Sequence, residues 1–332
     1  MPRKTGWRPR IILTMMVLAA LVCCGAAQAE PPTADRSIVK TLSVEGRLRN
    51  TFRSNTSFEF GDPKVPGHTP LSRLEFPLNA WWAGVGARGG TSRLSMGIEV
   101  LRSVTGEASG YQKDSDWEDD ADRHSLTTYS ESNCRLEPSY VVTGDIDLKI
   151  GDWLGLPSPF DLRPVAGIRW QRFVMITHDG TQWYPASGGA QPAEELAGDS
   201  LRFEQIYWHY FLGLRTAWDM GHRGFLPPIV LFLQGDWAMV EGINEDWHIL
   251  RAGRRITRER TRGDAWHILG GMKIGLAKNL HAKIEADYLR LQTTGSHNMT
   301  NPLFNTDYSF EYGVKVWSEQ MGVTMSMEWA FK

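Results

Sequence analysis

The 332-residue chain carries 36 Lys and Arg against 38 Asp and Glu, a balance that offers no polyanion-binding surface and argues against a nucleic-acid partner. Two of its 3 cysteines, Cys23 and Cys24, fall in an N-terminal leader. Cys134 alone remains, which excludes a disulfide framework and a cysteine zinc site.

Arg3, Lys4, Arg8 and Arg10 precede an apolar stretch from Ile11 to Cys24 and a small-x-small site at Ala27-Gln28-Ala29. This order predicts a secretory signal peptide over residues 1–29. Taking its four basic residues from 36 leaves 32 against 38 acidic ones, a net charge of −6. Residues 30–332 show no linker, low-complexity tract or repeat and read as one domain.

From Leu42 onward the chain alternates aromatic and β-branched residues with polar ones, between clusters of Gly, Pro, Asn and Asp. Ten such segments are predicted, near 42–60, 71–87, 94–106, 136–151, 161–178, 200–219, 227–248, 262–277, 281–295 and 308–331. The last is the clearest: Met321, Val323, Met325, Met327, Trp329 and Phe331 share one face, and Thr324, Ser326 and Glu328 the other. No segment holds the uninterrupted apolar run of a membrane helix. Long strands with one apolar and one polar face suit an all-β, ten-stranded antiparallel transmembrane barrel. The connections support it. Short turns at Gly89-Gly90-Thr91, Leu156 to Pro159, Gly221 to Pro227 and Asn279-Leu280 alternate with long ones near 61–70, 107–135, 179–199, 249–261 and 296–307. An even strand number puts both ends of the barrel on the periplasmic side. Trp81, Trp82, Trp153, Trp170, Trp237, Trp317 and Trp329 are then expected in interfacial girdles. The competing architecture is a soluble β-sandwich with these rings in its core.

Two segments on the long-loop side carry paired titratable groups. Asp114 and Asp116 lie in the first half of the 107–135 connection, and Asp246 and His248 lie where the seventh strand meets its long connection. Residues two apart on a strand point the same way. A carboxylate pair facing a His–carboxylate pair across a barrel mouth can activate a water. Other readings stay open from these residues alone: Asp116 to Asp122 also suits a solvated acidic loop, and Asp-x-Asp a calcium ligand.

The motifs around these residues resemble those of the omptins, ten-stranded outer-membrane proteases of Gram-negative bacteria. The resemblance rests on Asp114-Ser115-Asp116-Trp117-Glu118-Asp119 and on Asp246-Trp247-His248 followed by Gly253-Arg254-Arg255-Ile256-Thr257. Ser72 to Phe76, Asp147 to Leu154 and Asp307-Tyr308-Ser309 support it. It implies a surface endopeptidase with Asp114, Asp116, Asp246 and His248 as catalytic residues, no metal and no cofactor. It also implies a monomer that acts on peptides or proteins, sits in the outer membrane with its site outward, and requires lipopolysaccharide. The family cuts between basic residues, and acids line the pocket for the first. Here Asn244 stands at one of those positions, and Asn55 or Glu59 near the other, so substrate preference is expected to differ. Arg172 is a candidate lipopolysaccharide contact; Trp170 and Ile206 stand where the family has charges. The rival functions are an adhesin or small pore and, from Arg123-His124-Ser125, a lipid-editing barrel.

Overall fold

The computed structural model describes residues 41–61, 70–221, 227–250, 253 and 255–331. The signal-peptide expectation therefore lies outside the described residues, as does most of the 61–70 connection. Val39–Lys332 forms one compact unit.

Among the described residues, thirteen strands make a single antiparallel sheet. They are β1 (Thr41–Phe60), β2 (Ser72–Pro77), β3 (Trp81–Gly90), β4 (Leu94–Ser103), β5 (Gln112–Asp116), β6 (Thr128–Leu136), β7 (Tyr140–Leu148), β8 (Phe160–Trp183), β9 (Glu194–Asp219), β10 (Ile229–His248), β11 (Ile256–Ala277), β12 (Leu280–Asn301) and β13 (Thr306–Phe331). β13 pairs back onto β1 and closes the ring. β2 and β3 run end to end along β1, and β6 and β7 along β8. β4 pairs with β3 and β7, and β5 with β2 and β6. Each of these three broken pairs counts as one stave, so the barrel has ten. Closure leaves no unpaired edge among the described strands, which a hydrocarbon environment requires.

The breaks occur together near mid-height. Leu78 and Ala80 hand their carbonyls to the Thr51 hydroxyl at 2.6 and 3.1 Å. Asn79 accepts from the Ser54 amide at 2.8 Å and donates to the Ser109 carbonyl at 2.7 Å. Side chains thus satisfy the backbone groups that the ladder drops.

The face pattern is that of a barrel with a polar lumen. On β13, Met325, Met327 and Trp329 are exposed while Thr324, Ser326 and Glu328 are buried. On the neighbouring β12, Ile284 is exposed and Glu285 buried. The lower lumen is filled with ion pairs. Arg47 meets Glu45, Glu99 and Glu285 at 2.5, 2.7 and 2.5 Å. Asp147, its side chain 1% exposed, receives Arg88, Arg163 and Arg215 at 2.7, 2.8 and 2.5 Å. Charges out of water need such compensation.

A band of about ten residues per strand spans a bilayer. Phe160 stacked on Trp218 and the exposed Trp329 mark its lower edge. The cross-strand pairs Trp170–Trp208 and Trp237–Trp266 mark its upper edge. Trp82 departs from the expected girdle: it is 2% exposed, inside the lumen, and donates to the Thr51 hydroxyl at 3.2 Å. Trp317 lies among cations, under Arg73 and Lys315.

The strands continue far above the girdle, and the long connections shrink accordingly. β5 and β6 occupy much of 107–135, β8 runs to Trp183, β9 starts at Glu194, β11 starts at Ile256 and β12 runs to Asn301. Asp114 and Asp116 consequently stand on a strand and not in a loop.

Candidate active site

On β10, Asp236, Ala238, Val240, Asn244 and Asp246 are buried, whereas Leu233, Trp237, Met239, Ile243 and Trp247 are exposed. The period of two aims Asn244, Asp246 and His248 into the lumen near its mouth. His248 Nε2 lies 3.1 Å from Asp246 Oδ2, with side chains 12% and 3% exposed. The His248 amide donates to the Arg255 carbonyl at 3.1 Å, which ties the β10 end to the following strand.

The other pair is held by β2 and β6. Asp114 lies opposite Leu74 and Ser130, and Asp116 opposite Ser72 and Thr128. Cross-strand partners share a face. Leu74 is a buried core residue, so both aspartates face inward with it. The Thr127 amide and hydroxyl both donate to the Asp116 carbonyl at 2.8 Å.

Three rings join the two walls. Phe203 stacks on Phe76 at 4.5 Å and 12°, and lies 6.2 Å from Phe58. Phe203 is the β9 partner of Asp246, and Phe58 the β1 partner of Leu74. Leu74 in turn faces Asp114. The Asp246–His248 and Asp114–Asp116 pairs therefore stand on two walls that these rings bridge, both facing the lumenal cleft. A water between them would have an imidazole on one side and carboxylates on the other.

One residue row deeper, Gln205, Asn244, Glu259 and His297 pair in sequence across β9 to β12. Glu259 and His297 had no signal in the sequence; only the register places them beside Asn244. His297 Nδ1 lies 2.9 Å from Glu259 Oε1. The imidazole is sandwiched between Phe60 and Phe310 at 4.6 and 4.8 Å. This row stands seven residues beyond Trp237 and Trp266 on its strands, outside the membrane band. Burial, and secondarily the Asp246 charge, raises the Glu259 carboxyl well above the ordinary carboxylate range. Burial, with Arg255 second, pushes His297 down to about 4.

Asn244 lies one residue row below Asp246 and is 0% exposed. Asn55 and Glu59 are not brought to it. In lower β1 the odd-numbered Glu45, Arg47 and Arg49 face the lumen, where they pair with Lys283, Glu285 and Asp287. A bulge between Phe52 and Asn55, with Arg53 at φ 48, adds one residue and reverses the parity. Thr56, Phe58 and Phe60 then face in, and Asn55 and Glu59 face out. Glu59 is held there by Arg73 at 2.8 Å, and Lys315 lies 3.7 Å away. Arg172 is on the outer wall, bound to Glu204 at 2.8 Å, opposite Ile206.

The sequence profile of the Omptin family matches residues 87–301. The chain belongs to the omptin family. Among solved structures it is similar to the outer membrane protease OmpT from Escherichia coli, with a TM-score of 0.77 and 16% identity over 92% of this chain and 99% of that one. That likeness establishes the outer-membrane β-barrel fold. The translocator domain of the autotransporter NalP from Neisseria meningitidis aligns over 97% of this chain and 96% of its own, at TM-score 0.34 and 9% identity. No curated protein matches the chain in sequence. Within this omptin the family match includes β5 and β10, the strands that carry the two pairs.

Proposed function

We propose that this omptin is an endopeptidase of the bacterial outer membrane that hydrolyses peptides or proteins reaching its outward-facing cleft. The observation that carries the reading is the Asp246–His248 contact of 3.1 Å, on a wall that Phe203, Phe76 and Phe58 link to the wall of Asp114 and Asp116. His248, oriented by Asp246 through Nε2, takes a proton from a water at its other ring nitrogen. The hydroxide adds to the scissile carbonyl. Asp114 and Asp116 position the water and exchange its protons, titrating as a coupled pair. The imidazolium returns its proton to the leaving amine. No covalent acyl-enzyme and no metal enter the scheme.

Lipopolysaccharide is the proposed lipid partner, and a monomer the working form. The decisive experiment digests a peptide library with protein refolded with and without lipopolysaccharide, read by mass spectrometry. Cleavage that depends on Asp246 and His248 supports the reading. A folded, lipopolysaccharide-loaded preparation that cuts nothing would leave an adhesin in its place.

A further inference from the structure

The residue row beneath the Asp246–His248 pair holds polar atoms that the protein leaves unused. Asn244 is 0% exposed, and among the described residues neither its Oδ1 nor its Nδ2 has a hydrogen-bond partner. Its β9 neighbour Gln205, also 0% exposed, accepts from the Thr56 hydroxyl at 2.8 Å through Oε1, which leaves Nε2 without a partner. Two carboxamides side by side thus leave two NH2 groups and one carbonyl oxygen without partners. A buried amide with no partner is costly, so such groups are normally satisfied by water or by a ligand.

The surroundings restrict what the ligand is. An apolar side chain would leave these amides unpaired. A basic side chain would need an ionised acid at this depth. Among the described residues the carboxyl group in this row is Glu259, whose Oε1 is bonded to His297 and whose pKa burial raises well above the ordinary carboxylate range. Arg255 adds positive charge beside His297.

We propose that Asn244 and Gln205 form a neutral side-chain subsite that takes a carboxamide, Gln or Asn, from the residue flanking the cleaved bond. The carboxamide oxygen accepts from Asn244 Nδ2 and Gln205 Nε2, and its NH2 donates to Asn244 Oδ1. The bound side chain supplies the partners that these amides lack, and it seats the neighbouring carbonyl above Asp246. This subsite rests on the proteolytic reading and specifies its substrate class.

The test is the site profile of the refolded, lipopolysaccharide-loaded protein on a peptide library. At one position next to the cleaved bond, Gln and Asn should exceed Lys and Arg by at least about tenfold, the worth of one or two neutral hydrogen bonds. Asn244→Asp should invert that preference toward Lys and Arg. If Asn244→Asp loses the gel shift on heating that marks a folded barrel, Gln205→Glu makes the same substitution of charge from β9. Wild-type cleavage confined to Lys or Arg, abolished by Glu259→Gln, overturns the subsite while leaving the protease intact. A profile unchanged in a folded Asn244→Asp protein overturns it equally. Absence of cleavage by folded wild type removes the hydrolytic reading itself, and the subsite with it.

Discussion

Replacing Asp246 by Asn tests the catalytic geometry with the least structural disturbance. The side chain is 3% exposed and its Oδ2 is 3.1 Å from His248 Nε2. When His248 takes the proton from water, it becomes an imidazolium against that carboxylate. At an effective dielectric constant of about 20, unit charges at that separation attract by roughly 5 kcal/mol. Part of this is lost to solvent at the cleft mouth, so about 3–5 kcal/mol of transition-state stabilisation is at stake. Each ~1.4 kcal/mol is a factor of ten in rate, so Asn should lower kcat by roughly 100- to several-thousand-fold. The Asn amide would also turn an N–H toward Nε2 and favour the wrong tautomer. The assay is turnover of an internally quenched peptide by refolded protein, with the gel shift on heating as the folding control. The double variant Asp246→Asn/His248→Ala should be little slower than the slower single one, because a base and its orienting group act as a unit. A folded Asp246→Asn protein within threefold of wild-type turnover refutes the mechanism.

Asp116→Ala and Asp114→Ala should each lower turnover by about 100-fold or more, whereas Asp119→Ala and Asp120→Ala, beyond the end of β5, should lose less than about fivefold in the same assay. Phe203→Ala removes the ring that joins the two walls, fully buried against Phe76 and Phe58; it should cost about 3–5 kcal/mol, measured from the urea unfolding midpoint in detergent, and a loss below about 1 kcal/mol would deny the ring cluster its role. Glu259→Gln should be as stable as wild type at pH 4 and more stable at pH 8. The folded-state pKa of Glu259 is raised, so the unfolded chain ionises first and the wild type loses stability as pH rises past the ordinary carboxylate value; equal midpoints at both pH values would contradict that. The closed β13–β1 seam predicts that unboiled protein migrates differently from boiled protein on a detergent gel, and identical migration would argue against a closed barrel.

Alternation with period two gave the sequence its authority over the fold. A residue such as Met325 or Glu328 has only two directions in which to point, and polarity chooses between them, so the lipid and lumen faces of β12 and β13 were legible before any pairing was known. The same period placed Asp114 with Asp116 and Asp246 with His248. What the sequence could not supply was whatever depends on contacts between distant residues. Asp114 and Asp116 became strand residues because β2 and β6 supply backbone partners on either side; in isolation the stretch is acidic and resembles a loop. Trp82 turned inward because the Thr51 hydroxyl and the edge of Phe173 meet it there. Asn55 and Glu59 left the cleft because one bulged residue, Arg53, inverted the parity of β1, and a bulge has no reliable signature in polarity. Glu259 and His297 reached the base of the cleft through the register of β10 to β12 alone. A strand's own residues set which way each side chain points, but its neighbours set the height at which it stands, and a cleft is assembled from residues at one height.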